Sequence, residues 1–238
     1  MGMDIQQKLE RLERQIQEGY AKYTIIDNVC MTTPVEPTVE AGKFRKIENK
    51  ILIERERITD PSNYMLIDEI GAAVARGEID YLVRNLTQNC PIREIESVTY
   101  DQIVQAAKVI TNNGFTPNHV FMPIEYAHNV REWNRSKPGY DWANRSILNT
   151  IYINEGIILK VTFSNKYIPF EKMVITSKQS NRWKYRPTDD RSSRLTAKFD
   201  WNYEDPLNAL LSVRTIFKHV ADNLGNLVIT PVRKQNVS

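Results

Sequence analysis

Apolar residues recur at helical spacing near the start of the chain: Ile5, Leu9, Leu12 and Ile16 are separated by four, three and four positions, and Lys8, Glu10, Arg11, Glu13 and Arg14 fill the other faces. This predicts one amphipathic helix over residues 3–23, with a stripe that suits either a narrow seam against a neighbouring chain or a fold back onto its own domain. Pro34, Pro37 and Gly42 make 27–42 extended. Two β-prone runs then flank Glu48-Asn49-Lys50 and suggest a hairpin over 43–58. More than half of that segment is charged, so it reads as an arm that projects and takes its order from something else.

A second helical pattern runs over 64–89 through Ile67, Ile70, Val74, Leu82, Val83 and Leu86. Gly71 and Gly77 each weaken it by about 1 kcal/mol, so packing must hold it. Thr99 and Gln102 form a capping box for a third helix, which carries Ile103, Ala107 and Ile110 on one face and stops at Asn113-Gly114. A short strand, His119 to Met122, leads through Pro123 into a helix ending near Trp133, and a polar loop covers 134–146. Strands follow at 157–163 and 173–176. Strict alternation through Leu195, Ala197, Phe199, Trp201 and Tyr203 predicts a nine-residue half-buried strand. Residues 207–222 fit a helix or a strand, and 227–229 close the chain as a strand. Helices early and strands late indicate an α+β fold.

The chain has 238 residues, 41% hydrophobic and 26% charged, enough for one large domain or two modest ones. With 32 Lys and Arg against 29 Asp and Glu, the net charge of +3 does not by itself argue for a nucleic-acid partner. Cys30 and Cys90 stand far apart without a CxxC, which suits neither a zinc ribbon nor a disulfide scaffold. No stretch offers the roughly 18 uninterrupted apolar residues of a membrane span, and the N-terminus lacks the apolar core of a signal peptide, so a cytosolic product is expected.

The nine glycines form neither GxGxxG nor a P-loop, and GxSxG is missing. No catalytic residue, cofactor or metal is expected. Glu125 and His128, at i and i+3, are the nearest approach to a metal-binding pair, but a di-iron bundle needs a second such pair and two further carboxylates. Arg182, Trp183, Lys184 and Arg186 interleave cations with aromatics, a pattern that can stack bases and neutralise phosphate, or that marks the wet face of a sheet edge.

The run from Tyr100 to Ala107, the turn Asn113-Gly114-Phe115-Thr116-Pro117, and the strand His119 to Pro123 with Tyr126-Ala127 resemble the helix, strand and helix in the C-terminal half of tailed-phage major capsid proteins. Gly156 to Ser164, Met173 to Ile175, Arg194 to Tyr203, Val213-Arg214 and Leu227 to Ile229 are similar, in order, to that family's later strands. Asp27 to Val35 with Gly42 to Phe44 resembles the stretch between its N-arm and its extended loop. The resemblance implies the Hong Kong 97 capsid fold, shared with encapsulins. It assigns 1–33 to an N-terminal arm, 34–63 to an extended loop, 64–116 to peripheral-domain helices including a spine helix, 117–185 to an axial domain, and 186–238 to the peripheral sheet with a C-terminal axial strand.

It further implies self-assembly of pentamers and hexamers into an icosahedral shell, with portal or scaffold proteins and packaged DNA, or a cargo protein in an encapsulin-like compartment, as partners. No membrane is involved. The place of action would be the virion, assembled in the host cytoplasm. Contacts between subunits are expected from Ile5, Leu9, Leu12 and Ile16 on the arm and from Phe44, Arg45, Ile51, Arg55 and Arg57 on the loop.

Overall fold

The computed structural model describes residues 4–35, 44–59, 64–135, 149–153, 156–165, 171–187 and 194–231. The predicted loop 134–146 therefore lies almost wholly outside the described residues, as do 36–43 and 60–63 of the expected extended loop. The chain forms two compact units, one drawn from Met1–Ile26, Thr32–Ile79 and Trp183–Lys218, the other from Asp27–Met31, Asp80–Arg182 and His219–Ser238. Residues 64–116 thus contribute to both units, with the division after Ile79.

Helices α1 (Ile5–Tyr23) and α2 (Ile26–Val29) lead into strand β1 (Met31–Pro34), so the segment expected to be extended from residue 27 begins with a helical turn. Strand β2 (Arg45–Glu54) and helix α3 (Arg55–Thr59) follow. The hairpin expected at Glu48-Asn49-Lys50 does not form. Its residues run straight through β2, which pairs antiparallel with a later 14-residue strand from Glu54 opposite Asn208 to Arg45 opposite Phe217. The high charge reflects a strand at the end of its sheet, with one face wet and one edge unpaired among the described residues.

Helix α4 (Tyr64–Asn89) matches its predicted bounds. Strand β3 (Ile92–Ile95) had no sequence signal, and helix α5 (Tyr100–Asn112) is capped as expected by Thr99, whose hydroxyl accepts from the Gln102 N–H at 3.3 Å. Gly114 has φ +85°, the left-handed conformation that ends the helix. Strand β4 (His119–Met122), a 3-10 turn and helix α6 (Ala127–Arg135) complete the middle of the chain.

Next come β5 (Thr150–Tyr152), β6 (Ile158–Phe163), β7 (Met173–Thr176), β8 (Asn181–Tyr185), β9 (Leu195–Asp200), β10 (Asn208–Ala221) and β11 (Asn226–Pro231). The ambiguous 207–222 is therefore a strand. Ala209, Leu211, Val213, Thr215 and Phe217 are buried and their neighbours are not, a period of two.

In the first unit the sheet runs β1-β8-β10-β2, with β9 also paired to β10. Its inner face meets α1 and α4 in a core of Leu9, Leu12, Ile16, Ile67, Ile70 and Val74 against Ile53, Leu195, Leu211 and Val213. Trp183 stacks on Phe217 with ring centroids 4.2 Å apart, both fully buried. The second unit is a six-stranded mixed sheet, β3-β11-β7-β4-β6-β5. Ile103, Val104 and Ile110 of α5 and Val130 of α6 pack with its Val120, Leu159, Ile175 and Ile229.

Helices α1 and α4 approach until their backbones touch. A Cβ on Gly71 would stand 2.2 Å from the Ile16 carbonyl oxygen and 2.6 Å from the Tyr20 nitrogen, and one on Gly19 would stand 2.8 Å from the Asp68 carbonyl oxygen. About two turns further along α4, Tyr20 donates its hydroxyl to Glu78 at 2.7 Å, and Thr215 donates to the same carboxylate at 2.8 Å. Glu78 is fully buried. A carboxylate taken out of water costs several kcal/mol unless such donors meet it.

Gly71→Ala should therefore destabilise the fold by about 1–3 kcal/mol through overpacking. Gly77→Ala, whose new methyl would meet only Ile47 Cδ1 at an ordinary 3.5 Å, should gain up to about 1 kcal/mol of helix propensity. Urea midpoints of the two variants would move in opposite directions, and a shift in the same direction would contradict the close crossing.

Candidate functional site

The residues singled out for contact between subunits fall into three groups. Leu9, Leu12 and Ile16 are buried in the first unit's own core, and Ile5 and Ile51 pack half-exposed against it. The arm reading is corrected for Leu9, Leu12 and Ile16: α1 lies on β9 and α3 of its own unit, and these three side chains are spent there, whereas Ile5 stays half-exposed. Phe44 is half-buried beneath the Arg186 guanidinium, 4.8 Å from the ring centroid. Arg45 and Arg57 are exposed, the second held by Glu54 at 3.1 Å.

Arg55 does something else. Its Nη2 donates to the carbonyls of Trp201 at 2.7 Å, Asp205 at 3.2 Å and Tyr203 at 3.4 Å, its Nε donates to Asn208 O at 3.2 Å, and the guanidinium lies over the Trp201 ring. One planar cation thus gathers the carbonyls of the turn between β9 and β10. That turn is why the predicted nine-residue strand stops at Asp200, whose carboxylate accepts from the Asn202 N–H. Asp205 accepts from Leu207 N and from Asn208 Nδ2, and these bonds, the Asn208 side chain first, hold its carboxyl below the usual range. The turn so fixed carries Leu207, 74% exposed.

The cation and aromatic stretch separates by strand alternation. Trp183 points into the core and cannot stack a base, which corrects that part of the reading. Arg182 is exposed and Lys184 half-exposed on the opposite face of β8. Exposed apolar side chains that no periodicity flagged include Leu52 in the first unit and Ile92, Ile124, Ile158 and Leu224 in the second.

The histidines sit in three settings. His219 is buried between two amides: Asn85 Nδ2 lies 2.7 Å from its Nδ1, and Asn181 Oδ1 lies 3.2 Å from its Nε2. An amide nitrogen only donates, so Nδ1 must accept and Nε2 must carry the proton, which fixes a neutral ring. Burial pushes its pKa down to about 4. Asn181 in turn donates to Thr176 Oγ1 and the Ser177 carbonyl, and so closes a buried polar cluster in the second unit. His119 Nε2 meets Thr162 Oγ1 at 2.9 Å, and burial first, with Lys160 adding to it, pushes its pKa down to about 3.

His128 lines an open depression of about 340 Å³ with Arg131, Asn149 and Phe163. Among the described residues no group of three or more His, Cys, Asp or Glu is placed to hold a metal ion, and Glu125 with His128 does not grow into one. Cys30 and Cys90 are buried and form no disulfide, and burial pushes the Cys90 thiol up to about 11. Among the described residues, no helix is long and apolar enough to cross a membrane.

No protein-family model matches the sequence, and no curated protein is similar to it. Solved structures are. A virus-like particle from Pyrococcus furiosus aligns over 93% of this chain and 98% of its own at 10% identity with a TM-score of 0.63. The holo-SrpI encapsulin complex from Synechococcus elongatus PCC 7942 aligns over 90% and 89% at 12% identity with a TM-score of 0.59. The capsid of the cyanophage P-SCSP1u aligns over 87% and 82% at 11% identity with a TM-score of 0.52. The fold, mixed α and β, is the Hong Kong 97 capsid fold.

Because His119 and His219 are neutral in the fold and take up protons near pH 6.5 when unfolded, their contribution is complete above that pH and is lost as pH falls toward 4 and then 3. Each should lower the unfolding free energy by up to about 1.4 kcal/mol per pH unit. Thermal midpoints between pH 6.5 and 5 should fall less steeply in His219→Gln than in the parent. Equal slopes would mean that the ring is not held neutral.

Proposed function

We propose that this chain is the repeating subunit of a closed protein shell, a non-enzymatic major capsid protein that assembles from pentamers and hexamers around DNA as part of a virion. The observation that carries the reading is the extent of the fold match: it runs through both units and nearly the whole length of a virus-like-particle protein, so it is not a shared sheet motif. The exposed aliphatic side chains support it. Leu52 and Leu207 in the first unit, and Ile92, Ile158 and Leu224 in the second, are each about half exposed or more. Burial against neighbours returns about 25 cal/mol per Å² of apolar area, summed over several interfaces, before association costs are subtracted. Portal and scaffold proteins are further partners that such a shell would use, with assembly in the host cytoplasm.

A second reading, an encapsulin-like compartment holding a cargo enzyme, is supported by the alignment with the holo-SrpI encapsulin over 90% of this chain and 89% of that one.

Electron microscopy of the expressed chain should reveal closed shells of uniform diameter. Leu52→Asp with Leu207→Asp should abolish them and leave a folded, smaller species. A parent that stays monomeric at high concentration, with a radius of gyration near the ~18 Å of a compact globule of this length, would overturn both readings. Nucleic acid of defined length inside the shells supports the capsid, whereas one abundant co-purifying enzyme supports the compartment.

A further inference from the structure

Strand alternation in the first unit sorts its charges onto one face of the sheet. In β10 the buried positions Ala209, Leu211, Val213, Thr215 and Phe217 face the helices, so Arg214 and Lys218 face away. The register carries this to the neighbours: Lys46 stands opposite Ile216, Glu48 opposite Arg214, and Lys50 and Lys198 on either side of Ser212. Trp183 is stacked on Phe217 inside, which turns Lys184 outward as well. Six cations therefore share one outer face with the carboxylates Glu48, Glu54 and Asp200, in a chain whose total net charge is only +3.

Glu48 reports how closely they gather. Lys46 binds it at 2.6 Å, and that bond, with the charges of Lys46, Lys50 and Arg214 behind it, holds its carboxyl below the usual range. One acid is thus met by three cations, and the excess is positive.

We propose that this outer sheet face is a docking surface for the phosphate backbone of nucleic acid, bound without regard to sequence. Outward side chains on one strand repeat about every 6.7 Å, and adjacent strands lie about 4.8 Å apart. The ammonium and guanidinium groups therefore form a grid that can meet successive phosphates. Among the described residues the face offers no aromatic ring on which a base could stack: Trp183 and Phe217 point into the core, and Arg186 covers Phe44. A protein partner fits less well. Interfaces between proteins are depleted of charge at their centre, whereas the centre of this face is Lys50, Ser212, Lys198 and Arg214, with aliphatic residues only toward its ends, Leu52 and Leu210 at one and Ile216 at the other. The proposal concerns a single chain and does not depend on the shell reading.

The test is fluorescence anisotropy of the full chain with a short mixed-sequence DNA duplex across a salt series. Binding should be weak and salt-dependent, with log K falling by about 0.9 per phosphate neutralised for each tenfold rise in salt. The triple variant Lys46→Gln, Lys50→Gln, Arg214→Gln should lose at least about tenfold in affinity at ~50 mM salt and flatten the slope by roughly 2 to 3. Its thermal midpoint should stay near the parent's, because exposed ion pairs contribute little. The control triple Lys108→Gln, Arg131→Gln, Lys178→Gln removes the same charge from the second unit and should keep parent-like affinity within about twofold at the same ~50 mM salt. The proposal is overturned by equal losses in both triples, by a parent that does not bind DNA at ~50 mM salt, or by a first triple that keeps DNA binding but no longer self-associates, which would make the face a protein interface.

Discussion

The contact between the backbones of α1 and α4 is the constraint on which the first unit depends. Only glycine at 19 and 71 lets the helices approach so closely, and that approach places Tyr20 within reach of Glu78. Glu78 lies in the layer between helices and sheet, so its second donor must come from a strand, and Thr215 supplies it from the middle of β10. A polar residue in an otherwise apolar inner row is thereby explained, and the helix layer is registered against the sheet by hydrogen bonds as well as by packing. Losing either donor would leave part of a carboxylate unmet in a medium where that is costly.

The second unit uses neutral hydrogen-bonding groups for the same task. Asn85, His219, Asn181 and Thr176 form a chain of amides, an imidazole and a hydroxyl that joins the end of α4 to β10, β8 and β7. Close approach recurs here: Gly225 lies against Ser180, whose hydroxyl donates to the Gly225 carbonyl. Buried networks of this kind specify one arrangement when every member is satisfied. The buried polar groups of both units therefore act in packing, and their perturbed acid-base behaviour follows from burial.

Much of the fold was legible where a period ran long or a cap was present. Helix α4 and the Thr99 cap of α5 are examples, and the order of helices before strands gave the α+β class. What failed had physical causes. The Glu48-Asn49-Lys50 triplet resembles a turn only until β10 supplies a partner for both sides of it. Phe199, Trp201 and Tyr203 continue an alternation that the Arg55 side chain interrupts by drawing three carbonyls to one point, a tertiary effect with no local signature. The stripe of α1 is equally compatible with a neighbour and with its own sheet, and Gly71, far along the chain, decides between them together with Gly19 of α1 itself. In the 182–186 stretch composition pointed to cations and rings together, whereas the two-residue period sends them to opposite faces. The basic face itself was illegible, because it is assembled from four strands whose order is not written in any one of them.

Neither unit is a continuous piece of chain. The polypeptide passes from one to the other within α4, within β8 and within β10, so three of its longer-range crossings occur inside regular elements and not at loops. Domain boundaries normally fall in exposed linkers, where few contacts cross. Here no single cut can release either unit whole: ending the chain at residue 182 would strip the first unit of β9 and most of β10, and starting it at residue 80 would remove α1 and β2. A recombination joint at any single point would meet the same obstacle, and a fragment that looks like a domain on paper would be an incomplete sheet with raw edges.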